Sequence, residues 1–142
     1  MILILSVMGS ILAGPMFELL QSFCKANGIT LINEGLRKFP GGIEMGVTLM
    51  DFGIAETGTL VLKSDSEETR LSTMLCETHV AILEKSNIRK TALEMSDELD
   101  EMIRQPSSTA FITGASRTAD IERVLALGVH GPLELHIMLT GG

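Results

Sequence analysis

The chain has no tryptophan, no tyrosine and only five phenylalanines among its 142 residues. Aromatic platforms on which nucleic-acid bases stack are therefore nearly absent. Positive charge is scarce as well: 11 Lys and Arg stand against 18 Asp and Glu, a formal net charge of −7. A protein that follows a phosphate backbone needs clustered cations to displace counterions. Nucleic acid is excluded as a partner class.

Cysteine is equally sparse. Cys24 and Cys76 lie far apart, and no Cys-x-x-Cys pair occurs. A self-contained iron–sulfur cluster or cysteine-rich zinc site needs several thiolates from one chain, so neither is expected and the chain carries no cofactor of its own. The three histidines, His79, His130 and His136, are too scattered to suggest a metal site. No Ser–His–Asp constellation can be assembled from spacing. Two lone thiols suit a reducing cytoplasm, which is the expected compartment.

No Lys or Arg precedes Lys25, so the apolar opening "MILILSVMGSILAGPMF" lacks the positive flank of a signal peptide. Gly9, Gly14 and Pro15 interrupt it before it reaches membrane-spanning length. It reads as a buried strand, Ile2 to Val7, then a loop and a helix. No membrane partner is expected.

What the chain does have is a globular composition, 45% apolar and 20% charged, of a length that suits one domain over residues 1–142. Phe17, Leu20, Phe23 and Cys24 recur at helical spacing after Pro15, and Gly28 is a suitable stop. "ITLIN" reads as a strand, 34–44 as a loop with one helical turn, and "MGVTLMDFGIAETGTLVLK" as two strands split at Glu56-Thr57-Gly58. "SDSEET" (64–69) reads as a polar loop and "HVAIL" (79–83) as a strand buried on both faces. A helix is expected from near Ser86 to Pro106, with Ile88, Ala92, Met95, Leu99 and Met102 or Ile103 on its apolar stripe and a solvated acidic face opposite. "TAFIT" (109–113) is a further strand. Strands alternating with helices predict an α/β domain with a mainly parallel sheet.

Two stretches carry candidate chemistry. Gly114-Ala115-Ser116-Arg117-Thr118 follows a strand and precedes an amphipathic run, "ADIERVLAL". If that strand is parallel, the loop lies at its carboxyl end, where open α/β sheets bind ligands. Free N–H groups at a helix start favour an anion, and Arg117 can grip a carboxylate or phosphate with two bonds. Equally, Ser116 or Thr118 can be a plain helix cap, with Asp120 and Glu122 already complementing the dipole. The Gly-x-Gly-x-x-Gly spacing of a dinucleotide loop is absent. On the same geometry Gly128 to Pro132 falls at the opposite edge, which makes His130 structural.

The second stretch is Ala55-Glu56-Thr57-Gly58-Thr59. Glu56 is a candidate nucleophile or general base, with His79 as a candidate partner; the alternative is a turn carboxylate bonding nearby N–H groups.

Three segments, "MGVTLMDFGIAETGTLVL" (45–62), "HVAIL" (79–83) and "GASRTADIERVLALGVHGPLELHIML" (114–139), together resemble the LUD-domain family, in its lactate utilisation protein C branch. The resemblance covers about residues 45 to 140; residues 1–44 match poorly, and members are usually longer there, so the chain is expected to be shortened. It implies a three-layer α/β/α fold with a mainly parallel sheet, NagB/RpiA/CoA-transferase-like. It further implies an accessory subunit of an L-lactate oxidation system, taking lactate to pyruvate. The partners would be iron–sulfur lactate-utilisation proteins, and a small anionic ligand would be bound. Glu56, Thr57, Gly58, Thr59, Gly114, Ser116, Arg117 and Thr118 would line the pocket. In related CoA transferases a Glu at a strand-end turn attacks the acyl group, which invites comparison with Glu56 as fold-level analogy. Two other readings stay open: a stand-alone enzyme on an acyl-CoA, sugar-phosphate or folate-like substrate, and a shortened paralogue without activity. Oligomeric state is open too, a homo-oligomer included.

Overall fold

A computed structural model of the chain describes residues 2–6, 15–32, 35–39, 42–64, 66–114 and 131–141. Its spine is a five-stranded parallel sheet in the order β2-β1-β3-β6-β9, formed by β1 (Ile2–Ser6), β2 (Thr30–Ile32), β3 (Ile43–Leu49), β6 (Cys76–Glu84) and β9 (Glu134–Thr140). Parallel neighbours require crossovers, and helices supply two of them. The first is α1 (Pro15–Ala26) between β1 and β2. Proline suits a first helical turn because its missing N–H would be unpaired there anyway. The helix closes at Gly28, whose φ of 66° is left-handed, with Ile29 N–H donating to the Cys24 carbonyl at 2.8 Å. Cys24 of α1 is buried, whereas Phe23, expected on the same stripe, is 60% exposed.

Between β3 and β6 the chain makes a longer excursion. β4 (Phe52–Ile54) and β5 (Thr59–Ser64) form an antiparallel hairpin around residues 55–58, and α2 (Glu67–Met74) returns the chain to the sheet. The hairpin builds a second sheet, β7-β4-β5-β8, with β7 (Ile88–Arg89) and β8 (Ser108–Ile112). The strands expected from apolar pattern are present, except that the run before Glu56, read as one strand, is two: β3 ends at Leu49 and β4 begins at Phe52 in the second sheet. The α/β class with a mainly parallel sheet flanked by helices is what the chain adopts.

Three local expectations are corrected. The polar stretch 64–69 is a helix start: Ser66 accepts from the Thr69 N–H at 3.2 Å and caps α2. The long helix expected from Ser86 begins ten residues later, as α3 (Ser96–Arg104) preceded by a 3₁₀ turn at Ala92–Met95. Ile88 is pulled out of it because it pairs with Gly53 of β4. The strand at 109–113 is not parallel: β8 runs antiparallel to β5, with Leu60 opposite Ile112 and Ser64 opposite Ser108.

The core sits on both faces of the second sheet. Leu60 and Leu62 of β5 meet Ala81 and Leu83 of β6 and Met50 between the two sheets. On the other face Val61 and Ile54 meet Met95 and Met102 from the α3 region, with Leu99 packed alongside. β5 is thus buried on both sides, and the Met95–Leu99–Met102 spacing expected of the helix faces inward as predicted. α2 lies against the parallel sheet, close enough that a Cβ on Gly46 would collide with the Ser72 carbonyl.

Candidate functional site

The turn between β4 and β5, the end of β8 and the start of β9 converge. A cavity of about 600 Å³ opens there, walled by Gly58, by Thr113 and Gly114, and by Leu133 to Ile137. Gly58 and Gly114 have φ of 64° and 93°, a left-handed backbone that residues with a Cβ rarely adopt. The two glycine turns singled out in the sequence are therefore brought to one place. A smaller cavity of about 280 Å³ shares Gly58 and Ile137 with it and is apolar, with Leu60, Leu83, Ile88 and Leu139 among its walls.

Of the other candidates, Thr59 is buried and walls the smaller cavity; Thr57, exposed, shares a 2.7 Å hydroxyl–hydroxyl hydrogen bond with it. Glu56 is exposed in the turn, is not a wall of either cavity, and donates its backbone N–H to the Lys90 carbonyl at 3.0 Å. Ser116, Arg117, Thr118 and His130, with Asp120, Glu122 and Gly128, lie outside the described residues. The parallel-strand premise behind the Gly114 loop does not hold, because β8 belongs to the second sheet. The apolar run "TAFIT" alternates Ala110 and Ile112 inward with Phe111 outward, a pattern that carries no strand direction. Nor do the ends of the 114–131 segment part to opposite edges: Gly114 and the start of β9 wall the same cavity, and a Cβ on Gly114 would stand 3.7 Å from the Leu135 side chain.

His79 is not Glu56's partner. It is 1% exposed on β6, and its Nε2 is hydrogen-bonded to Thr48 Oγ1 on β3 at 2.7 Å. Burial lowers its pKa to about 4, so it is neutral and structural at physiological pH. Cys76 is likewise inert: burial pushes its thiol up to about 11, far from a reactive thiolate.

The residues that sequence reasoning passed over are Glu134 and His136. They stand two apart on β9, hence on one face, and His136 Nε2 lies 2.9 Å from Glu134 Oε2 at the wall of the larger cavity. A carboxylate held to one ring nitrogen orients an imidazole and leaves the other nitrogen to meet a substrate, which is the arrangement of a general base. Alternating Glu-x-His inside a strand was the available signal. Among the described residues no group of three His, Cys, Asp or Glu is placed to hold a metal ion. No described helix is long and apolar enough to cross a membrane.

Comparison with known proteins places this architecture. The chain is 34% identical over 96 residues to lactate utilization protein C of Oceanobacillus iheyensis, a match covering 65% of this chain and 41% of that protein. It is 39% identical over 101 residues to the protein of the same name from Geobacillus sp. WCH70, covering 68% and 42%. The Bacillus subtilis protein is 37% identical over 100 residues. The chain spans about two fifths of the length of these curated relatives. A DUF162 family protein from Deinococcus radiodurans, known from a crystal structure, shares the fold with a TM-score of 0.60 over 99% of this chain and 87% of that one, at 16% identity. The family model for the LUD domain matches residues 16–140, and the chain belongs to the LUD domain family, with its similarity on the side of lactate utilization protein C.

Proposed function

We propose that the chain is an accessory subunit of an L-lactate oxidation system, with the cavity between Gly58, Gly114 and β9 holding a small anionic ligand. Its similarity to lactate utilization protein C carries the reading. Turning lactate into pyruvate removes two electrons and two protons. His136, oriented by Glu134, is suited to take the hydroxyl proton, and backbone N–H groups of the two glycine turns suit the carboxylate. Arg117, three residues beyond Gly114, is the sequence's carboxylate clamp. Cys24 and Cys76 are both buried and far apart in sequence, which is no thiolate set for a cluster. The hydrogen on the lactate carbon and its electron pair are therefore assigned to an acceptor on the iron–sulfur partner proteins, and the compartment to the cytoplasm. Affinity purification from cells grown on lactate tests this: iron–sulfur proteins should co-purify, and a clean preparation without them overturns it.

A second reading rests on size. A cavity of about 600 Å³ is in the range that takes whole small-molecule ligands, far larger than lactate. It favours a stand-alone enzyme on an acyl-CoA, sugar-phosphate or folate-like substrate. Melting-temperature shifts with such compounds separate the two, since a ligand at a hundred times its Kd stabilises by about 2.7 kcal/mol. No shift with any of them, and no partner, leaves a paralogue without activity.

A further inference from the structure

A second polar cleft lies away from the site above, where the β5–β8 ladder ends. Its volume is about 340 Å³, and its walls are Ser64, Arg70 and the turn Gln105 to Ser108. Three observations bear on what it takes. Arg70, on α2, reaches into the cleft and makes one long hydrogen bond among the described residues, from NH1 to Ser108 Oγ at 3.4 Å. Most of its guanidinium fork is left to a ligand.

Among the described residues, the carboxylates near Arg70 are hydrogen-bonded elsewhere, although Glu67 also feels its charge. Glu67 is bonded to Arg37 through both of its oxygens, and the Arg37 guanidinium holds its carboxyl below the usual range. Glu68 accepts the backbone N–H groups of Gly35 and Leu36, each at 3.1 Å. On the cleft's other flank Lys63 is bonded to Gln105 Oε1, with Asp51 as its neighbouring carboxylate.

The third observation is hydroxyl chemistry. Ser64 is 1% exposed at the foot of the cleft. The Ser107 Oγ is sealed from solvent and has no hydrogen-bond partner among the described residues. Ser108 Oγ, at the exposed wall, accepts from Arg70 and keeps its own proton to donate.

We infer that this cleft binds the phosphate group of a small phosphorylated molecule, with Arg70 clamping two oxygens and the Ser108 hydroxyl donating to the group. A planar carboxylate would satisfy the arginine alone; a tetrahedral dianion also meets the hydroxyl set beside it. The cleft's volume exceeds that of a bare phosphate and leaves room for the rest of an ester.

The test uses the intact chain with inorganic phosphate and phenyl phosphate, followed by phosphorus NMR line broadening and by melting, against chloride and acetate at equal ionic strength. Saturable binding of phenyl phosphate is expected, tighter than that of phosphate, with no response to acetate. Arg70→Ala should weaken it at least about tenfold, Ser108→Ala less, and Arg70→Lys should fall between, because it keeps the charge and loses the fork. His136→Ala should leave it unchanged, so this result stands apart from the lactate reading. Equal binding in wild type and Arg70→Ala means an adventitious ion only and overturns the assignment, as does the absence of saturation. Arg70 is exposed, and a melt in chloride checks that the variants remain folded.

Discussion

His79 Nε2 on β6 and Thr48 Oγ1 on β3 are hydrogen-bonded at 2.7 Å across neighbouring central strands, both residues being 1% exposed. A titratable ring is thereby fixed, neutral, in the middle of the parallel sheet. Unfolded, it takes a proton near its ordinary pKa of 6.5; folded, only near about 4. Below pH 6.5 the unfolded chain binds more protons, so His79 contributes stability that is present above that pH and lost on acidification towards pH 4. Between pH 7 and pH 5 the loss should be about 2 kcal/mol. Asp51, whose carboxyl is pushed up by burial, acts with the opposite sign, so the readout is a comparison. Urea unfolding at both pH values should show the difference shrinking in His79→Gln, which keeps a hydrogen-bonding group and loses the titration. An unchanged pH dependence would show that His79 is not its source.

Gly46→Ala should destabilise the fold by roughly 1–3 kcal/mol, towards the upper end. Its new methyl meets the Ser72 backbone carbonyl and lies 2.9 Å from the Cys76 sulfur, and backbone cannot step aside. Gly53→Ala is the control: its nearest obstacle is Leu83 Cδ2 at 2.6 Å, a side-chain end that can turn. Chemical denaturation should rank Gly46→Ala clearly below Gly53→Ala.

Met95→Ala removes a fully buried side chain from beneath α3 and should cost about 2–5 kcal/mol. Leu93→Ala, two residues away and 85% exposed, should stay within about 0.5 kcal/mol of wild type. Similar midpoints for the two variants would contradict the packing of α3 on the second sheet.

His136→Ala should leave stability nearly unaltered, because the pair with Glu134 is more than half exposed and exposed pairs contribute at most about 1 kcal/mol. If His136 is the base, lactate-dependent turnover by the assembled system should fall about 10²–10⁴-fold. Glu134→Gln should lower it less. Full turnover in His136→Ala removes the dyad from the mechanism.

Gly114→Ala tests the site's backbone. A φ of 93° is strained for any residue with a Cβ, at about 1–3 kcal/mol. The Leu135 side chain is 3.7 Å from the added methyl, so the cost should come from the backbone and not from a clash. Thermal melts of Gly114→Ala should therefore show a lowered midpoint, and Gly131→Ala, at φ 91° with nothing near its Cβ, a similar one.

Much of the fold was legible in the chain itself. Pro15 and Gly28 bracket α1, the apolar runs mark the strands, and Met95, Leu99 and Met102 mark the buried face of α3. α2 was not legible, because it buries Thr69 and Ser72 and not an apolar stripe. Small polar side chains permit its close approach to Gly46, and hydrophobic periodicity is blind to that. In the candidate site Gly58 and Gly114 were recognised as turn glycines, while the Glu134–His136 pair passed as two unremarkable strand positions.

Sequence alone determined the α/β class, most of the strand-forming segments and the family resemblance, since each follows from composition, periodicity or residue identity along the chain. Tertiary structure decided that β8 runs antiparallel in a second sheet, that His79 bonds Thr48, and that Gly58, Gly114 and the start of β9 share a cavity. The physical reason is the same in each case. Periodicity reports which face of an element is buried, but the choice of partner is settled only by packing among residues distant in sequence.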